Sequence, residues 1–83
     1  MASVRIRYWA AARAAAGAAE ETVEADDCDV ALREALDAHD DPELTRVVAS
    51  ASFLVDGVRR RRDELVGVAA PATLEVLPPF AGG

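Results

Sequence analysis

Apolar and polar residues alternate near both ends of this 83-residue chain. Residues 3–9 place three side chains on one face of a predicted strand: Val4, Ile6 and Tyr8. Residues 73–77 repeat the pattern, with Leu74 and Val76 inward. Because side chains in a strand point alternately to opposite faces, both stretches predict strands with one buried face.

Helical spacing occupies much of the chain between these strands. Residues 10–19 are rich in alanine and predict a helical turn. Asp29 is a candidate N-cap for a helix over residues 30 to about 39. Asp41 and Pro42 suit the N-cap and the first position of a second helix. The helical segments are therefore expected in the middle of the chain.

The remaining segments predict short strands and turns. Residues 20–25 are a strand candidate, and residues 52–60 indicate a hairpin whose turn is Asp56-Gly57. Residues 63–72 show no regular pattern. Strands at both ends with helices between them predict one α+β domain, in which the helices pack on one face of a sheet.

Charge and composition exclude several classes of function. The formal net charge is −6, which argues against nucleic acid and anionic membranes as partners, because both require a basic surface. No apolar run approaches the roughly 20 residues of a membrane span. The single cysteine, Cys28, fits a reducing compartment and an inert, small apolar role. We expect a soluble cytoplasmic protein.

No group of residues predicts a self-sufficient active site. His39 is the only histidine and has no cysteine or histidine cluster around it, so we expect no metal site and a solvated histidine at a helix end. Residues 59–62 are four arginines, which we interpret as a solvated edge strand protected by charge. Asp40 and Asp41 are interpreted as a loop residue and a cap.

Trp9 and Leu77 break the alternation at the ends of the first and last predicted strands, because both fall on the polar face. If these strands are parallel neighbours, the two side chains form one apolar spot beside the C-terminal tail. Isolated exposed apolar residues are normal in proteins. A Trp and a Leu near Phe80 nevertheless predict a patch where a partner docks.

The last six residues, PPFAGG, form an unusual tail. Pro78 and Pro79 end the sheet and favour an extended chain. Phe80 follows, and then Ala81, Gly82 and Gly83 form a strip with almost no side chains. Such a strip can thread a narrow channel, while a frayed terminus is the simpler alternative.

The sequence resembles the ubiquitin-like β-grasp sulfur carriers, and within them the small subunit of molybdopterin synthase (MoaD). The resemblance rests on VRIRYWAAARAAAG near the start, SFLVDG, and LEVLPPFAGG at the end. It implies a mixed β-grasp sheet over residues 1–77 and an extended tail over residues 78–83. AAPAT stands where the family often has a Gly-Asp-Glu turn before the final strand.

The resemblance also implies a function for the tail. Gly83 would be adenylated by a separate MoeB-like enzyme that uses ATP and Mg, and a sulfur donor protein would convert it to a thiocarboxylate. The tail, Pro78 to Gly83, would enter a pocket of the large subunit, MoaE, and give its sulfur to the molybdopterin dithiolene. Trp9, Leu77 and Phe80 would form the docking face. The chain itself would bind no cofactor.

Three other functions remain open from the sequence. The same carrier chemistry could serve thiazole formation, tRNA thiolation or cysteine synthesis. The protein could instead be a ubiquitin-like modifier that forms isopeptide bonds with other proteins. It could also be an interaction module whose tail has no chemistry.

Overall fold

The computed structural model of the chain describes residues 2–79. It contains five strands: β1 (Ser3–Tyr8), β2 (Glu20–Glu24), β3 (Ser52–Val55), β4 (Val58–Arg60) and β5 (Ala72–Leu77). Its three α-helices are α1 (Ala10–Ala16), α2 (Cys28–His39) and α3 (Pro42–Ala49). A short 3-10 helix covers Arg62–Leu65, and the Ala70–Pro71 peptide bond is cis.

The strands form one mixed sheet in the order β2-β1-β5-β3-β4. β1 and β5 are parallel neighbours, and the other pairs are antiparallel. This parallel pairing is the condition under which Trp9 and Leu77 were predicted to form one apolar spot. β5, the last strand in sequence, is therefore the central strand of the sheet. This α+β arrangement confirms the predicted fold class.

The helices pack against one face of the sheet and form a single core with it. The predicted inward side chains of β1 and β5 are all buried: Val4, Ile6, Tyr8, Leu74 and Val76. Every helix contributes at least one residue with no exposed surface to the same cluster, among them Ala12, Leu32 and Leu44. The opposite face of the sheet, which we call the outer face, carries the alternate residues of every strand.

Helix α2 begins earlier than the sequence indicated. Asp27 is its N-cap, since its Oδ1 accepts a hydrogen bond of 2.8 Å from the Val30 amide. The prediction of Asp29 as the cap was wrong, because Asp29 lies inside the first turn. Its carboxylate pairs instead with Arg62, whose Nη1 lies 2.5 Å from Asp29 Oδ1. The cap of α3 was predicted correctly as Asp41.

The predicted hairpin forms β3 and β4, with Asp56 and Gly57 at φ angles of 49° and 84°. Both residues are in the left-handed region, which glycine adopts without strain and aspartate tolerates better than most residues. β4 is an edge strand, as predicted from the arginine run, but only Arg59 and Arg60 of that run lie in it. The following segment is less irregular than predicted, because Leu65 in the 3-10 helix is fully buried. Arg62 is half-buried and ion-paired, so that part of the arginine run is not simply solvated.

Candidate functional site

The candidate site lies where β5 leaves the sheet. β5 ends at Leu77, and Pro78 and Pro79 follow without strand or helix geometry. Neither proline has an amide N–H, so neither can extend the ladder of hydrogen bonds. The prediction that the sheet ends at this pair is therefore confirmed. The chain leaves from the end of the central strand.

Trp9 lies beside this exit, directly after β1. Its amide donates a hydrogen bond of 3.2 Å to the Val76 carbonyl, which continues the parallel pairing of Tyr8 with Val76. The sequence placed Trp9 within the strand, but β1 ends at Tyr8 and Trp9 is the N-cap of α1. Ala10 then takes a φ of 48°, an uncommon angle for a residue with a side chain. The chain therefore turns sharply directly after Trp9.

The Trp9 side chain is held on the outer face by two charged neighbours. Its Nε1 donates a hydrogen bond of 3.1 Å to Glu75 Oε1. The Arg7 guanidinium lies 5.0 Å from the centre of the ring, within the range of a cation–π contact. The two neighbours also face each other, with Arg7 Nη1 3.9 Å from Glu75 Oε1. Trp9 still exposes 39% of its surface.

Leu77 is half-buried on the same face, one position beyond the last paired residues of β1 and β5. The register therefore brings Trp9 and Leu77 side by side, as the sequence predicted. Leu54 is a third apolar residue on the outer face. It is half-buried and lies in β3, opposite Glu75 of β5. The sequence pattern did not single out Leu54, although its position between the inward residues Phe53 and Val55 places it on this face.

The remaining predicted site residues lie outside the described part of the chain. These are Phe80, Ala81, Gly82 and Gly83. Their predicted roles in the docking face and in the tail stay predictions, as does the division into a domain of residues 1–77 and a tail of residues 78–83. Within residues 2–79, no group of three or more histidine, cysteine or acidic side chains is placed to hold a metal ion. No helix in that range has the length and apolarity needed to span a bilayer.

Comparison with solved structures identifies the architecture. The solution structure of small archaeal modifier protein 1 (SAMP1) from Methanosarcina acetivorans matches with a TM-score of 0.80 and 24% identity, covering 100% of this chain and 98% of that chain. The crystal structure of SAMP1 from Haloferax volcanii matches with a TM-score of 0.77 and 26% identity, over 98% of this chain and 99% of that chain. The chain has the ubiquitin-like β-grasp fold.

A third β-grasp neighbour comes from a two-protein assembly. It is the complex of subunits 1 and 2 of molybdopterin-converting factor from Helicobacter pylori 26695, with a TM-score of 0.68 and 18% identity over 98% of this chain and 99% of that chain. At the level of fold, the chain therefore resembles the MoaD-like proteins, as the sequence predicted. No family model and no curated protein matches the sequence.

A polar network ties the end of α2 to the sheet of this β-grasp domain. Tyr8 Oη donates a hydrogen bond of 2.5 Å to Glu21 Oε2, and His39 Nε2 lies 2.7 Å from the same oxygen. The rings of Tyr8 and His39 meet edge to face, with centroids 6.2 Å apart. The prediction of a solvated His39 was therefore wrong, because only 23% of its side chain is exposed. Its partner Glu21 comes from β2, which local sequence could not reveal.

Cys28 has the inert environment that the sequence predicted. It is the first residue of α2 and has no exposed surface. Burial raises the pKa of its thiol, and the nearby Asp56 and Asp27 carboxylates act in the same direction. A protonated, inaccessible thiol is a poor nucleophile. Cys28 is therefore not a candidate for a reactive residue.

Proposed function

We propose that this protein is a sulfur carrier. The Gly83 carboxylate is adenylated, converted to a thiocarboxylate, and donates sulfur for the molybdopterin dithiolene when the protein acts as the small subunit of a molybdopterin synthase. One observation carries the proposal: the central strand leads directly into the Pro78-Pro79 pair, beside Trp9 on the uncovered face of the sheet. The folded domain thus places an exposed aromatic side chain beside the point where the tail begins.

The chemistry of the terminal carboxyl explains why a separate activating enzyme is needed. A terminal carboxyl has a pKa of about 3.3–3.7, so at neutral pH it is an anion and a poor electrophile. Adenylation with ATP and Mg, by a MoeB-like enzyme, turns it into a reactive acyl phosphate. The terminal sulfur of a persulfide donor then displaces AMP and forms an acyl disulfide with Gly83. A thiol reductant cleaves this S–S bond and forms a disulfide with the donor, which leaves the thiocarboxylate and makes Gly83 a sulfur nucleophile.

The tail has the dimensions for delivery into a pocket of another protein. Residues 78–83 would reach about 20 Å when extended, at roughly 3.3 Å per residue. Ala81, Gly82 and Gly83 would occupy the narrowest part of a channel, and Phe80 its mouth. A MoaE-like large subunit is the proposed recipient, and the two-subunit assembly of the Helicobacter pylori neighbour supports that choice.

Intact-mass measurement tests the proposal directly. The protein is incubated with the MoeB-like enzyme of the same organism, ATP, Mg, a persulfide donor and a thiol reductant. We expect a mass increase equal to the exchange of one oxygen for sulfur, located at Gly83 by fragmentation. The control is the same chain with one alanine added after Gly83, which should not be adenylated. If the mass of this protein stays unchanged while the same enzyme preparation activates a reference carrier, the proposal is refuted.

A protein modifier is the second candidate, because two of the three structural neighbours described above are archaeal modifier proteins. A modifier shares the adenylation step but transfers the Gly83 acyl group to a lysine amine of another protein. Expression of a tagged form should then produce conjugates on a denaturing gel that disappear when Gly83 is removed. The sulfur carrier should instead convert cyclic pyranopterin monophosphate to molybdopterin when a MoaE-like subunit is added. Sulfur transfer without that product would indicate another acceptor pathway.

A further inference from the structure

We propose that Arg7 and Glu75 are positioning residues, which hold the Trp9 indole in one orientation and so make it a preformed anchor for the activating enzyme. The inference rests on the proposed function, since it names how the outer face is recognised. Both residues are charged and lie on the outer face of the sheet, where they contact the indole from two sides.

Glu75 satisfies the only polar group of the indole before any partner arrives. Trp9 Nε1 donates to Glu75 Oε1 at 3.1 Å, and the Glu75 side chain is only 20% exposed. A tryptophan that becomes buried in an interface must keep its N–H paired, because an unpaired buried donor is costly. Trp9 meets this requirement within its own domain. A partner therefore needs to supply only an apolar surface for the rest of the ring.

Arg7 restrains the ring from its face. Its guanidinium lies 5.0 Å from the ring centre, and its Nη1 is 3.9 Å from Glu75 Oε1. Arg7 also has a second acidic neighbour, since its Nε lies 3.9 Å from Glu20 Oε1. Without Glu75, Arg7 would keep the carboxylate contact with Glu20 and lose the one beside the indole. Arg7 would then move toward β2 and release the ring.

A restrained side chain binds more tightly than a mobile one. Immobilising a flexible side chain on binding opposes association, and this cost is avoided when the bound orientation already exists. Trp9 is also held through its backbone, by the hydrogen bond from its amide to Val76. Trp9 is therefore held through both its backbone amide and its indole N–H, next to the strand that continues into the tail. This location suits an anchor that aligns the tail with an adenylation site.

The test compares Glu75→Ala with Glu75→Gln and with a matched control. Glutamine keeps an acceptor oxygen for the indole N–H but removes the charge that faces Arg7. Glu24→Ala is the control, because Glu24 is an exposed glutamate on the outer face of β2 with no side-chain hydrogen bond or ion pair within residues 2–79. Urea unfolding of each variant confirms that the domain remains folded at the assay temperature.

The first measurement uses the protein alone. Trp9 is the only tryptophan, so its near-ultraviolet circular dichroism and its quenching by acrylamide report on one side chain. Glu75→Ala should weaken the dichroism and increase quenching about twofold or more, Glu75→Gln should show a smaller change, and Glu24→Ala none. Signals identical to wild type in Glu75→Ala would overturn the inference that Glu75 holds the ring.

The second measurement uses the MoeB-like enzyme with ATP and follows adenylation as a function of carrier concentration. Glu75→Ala should raise the KM for the carrier about tenfold and leave kcat unchanged, because binding is lost while the reacting carboxylate is untouched. Glu75→Gln should recover most of this loss, and Glu24→Ala should match wild type. An unchanged KM despite a disordered indole would overturn the role in docking. Failure of the wild-type carrier itself to be adenylated would instead refute the proposed function.

Discussion

Tyr8→Phe removes one hydroxyl from the network that joins β1, β2 and the end of α2. The ring of Tyr8 is 2% exposed, and phenylalanine would keep its apolar burial. What disappears is the hydrogen bond of 2.5 Å to Glu21 Oε2. The Glu21 carboxylate keeps His39 Nε2 at 2.7 Å. The substitution therefore isolates one hydrogen bond to a charged acceptor.

The size of the effect follows from the exposure of the acceptor. A hydrogen bond to a charged group contributes about 1.5–3 kcal/mol to stability. The Glu21 side chain is 30% exposed, so water can replace part of the lost interaction. We therefore expect the lower end of the range, about 1.5 kcal/mol in the free energy of unfolding. For a domain of this size that corresponds to a fall in Tm of about 6–12 °C.

Urea unfolding followed by the fluorescence of Trp9 measures this change. A double-mutant cycle with Glu21→Ala assigns it, because Tyr8→Phe should cost much less when its acceptor is already absent. A loss below about 0.5 kcal/mol, the usual range of a surface substitution, would refute the importance of the hydrogen bond. An equal loss in both backgrounds would show that the effect comes from packing of the ring instead.

Three further predictions concern docking and pH. Leu77→Asp should weaken binding to the activating enzyme at least about tenfold in a titration, while Val66→Asp, at an apolar position 67% exposed outside the site, should not; equal effects would contradict the docking face. Burial, followed by the contact with Glu21, raises the pKa of Tyr8, so its contribution to stability is complete below the unfolded value of about 10 and declines above it. The free energy of unfolding should fall above about pH 10, and less steeply in Tyr8→Phe; identical alkaline profiles would contradict this. The hydrogen bond from the Val30 amide is the largest cause of the lowered pKa of Asp27. The contribution of Asp27 to stability is therefore present above its unfolded pKa of about 3.9, and it is lost as the pH falls through the lower pKa of the folded state. Asp27→Ala should destabilise the protein at neutral pH and flatten the acid part of its stability profile, and parallel profiles would argue against the cap.

Local sequence was sufficient for most of the elements. Alternation located β1 and β5, and the Asp56-Gly57 pair located the hairpin, because turn geometry and strand burial depend on neighbouring residues. The Asp41-Pro42 pair located the start of α3 for the same reason. The start of α2 was harder, since the run Asp26, Asp27 and Asp29 offers several caps. Asp27 also accepts a hydrogen bond from the Gly67 amide, a contact across 40 positions that favours it over its neighbours.

The candidate site was only partly predictable. Trp9 and Leu77 stood out because they interrupt a polar face, and their adjacency followed once the two strands were parallel neighbours. Arg7 and Glu75 could not be assigned to the indole, since 66 positions separate Trp9 from Glu75. The burial of His39 was missed for a similar reason, because its partner Glu21 lies 18 positions away in β2.

The sequence by itself determined the alternation that makes strands, the caps and turns that delimit elements, and the Pro-Pro end of the sheet. These features depend on φ preferences and on hydrogen bonds between near neighbours. Only the tertiary structure decided that the last strand becomes the central one, parallel to the first. That pairing brings Trp9, Glu75 and Leu77 together at the base of the tail, because side chains distant in sequence meet only when strands are ordered within the sheet.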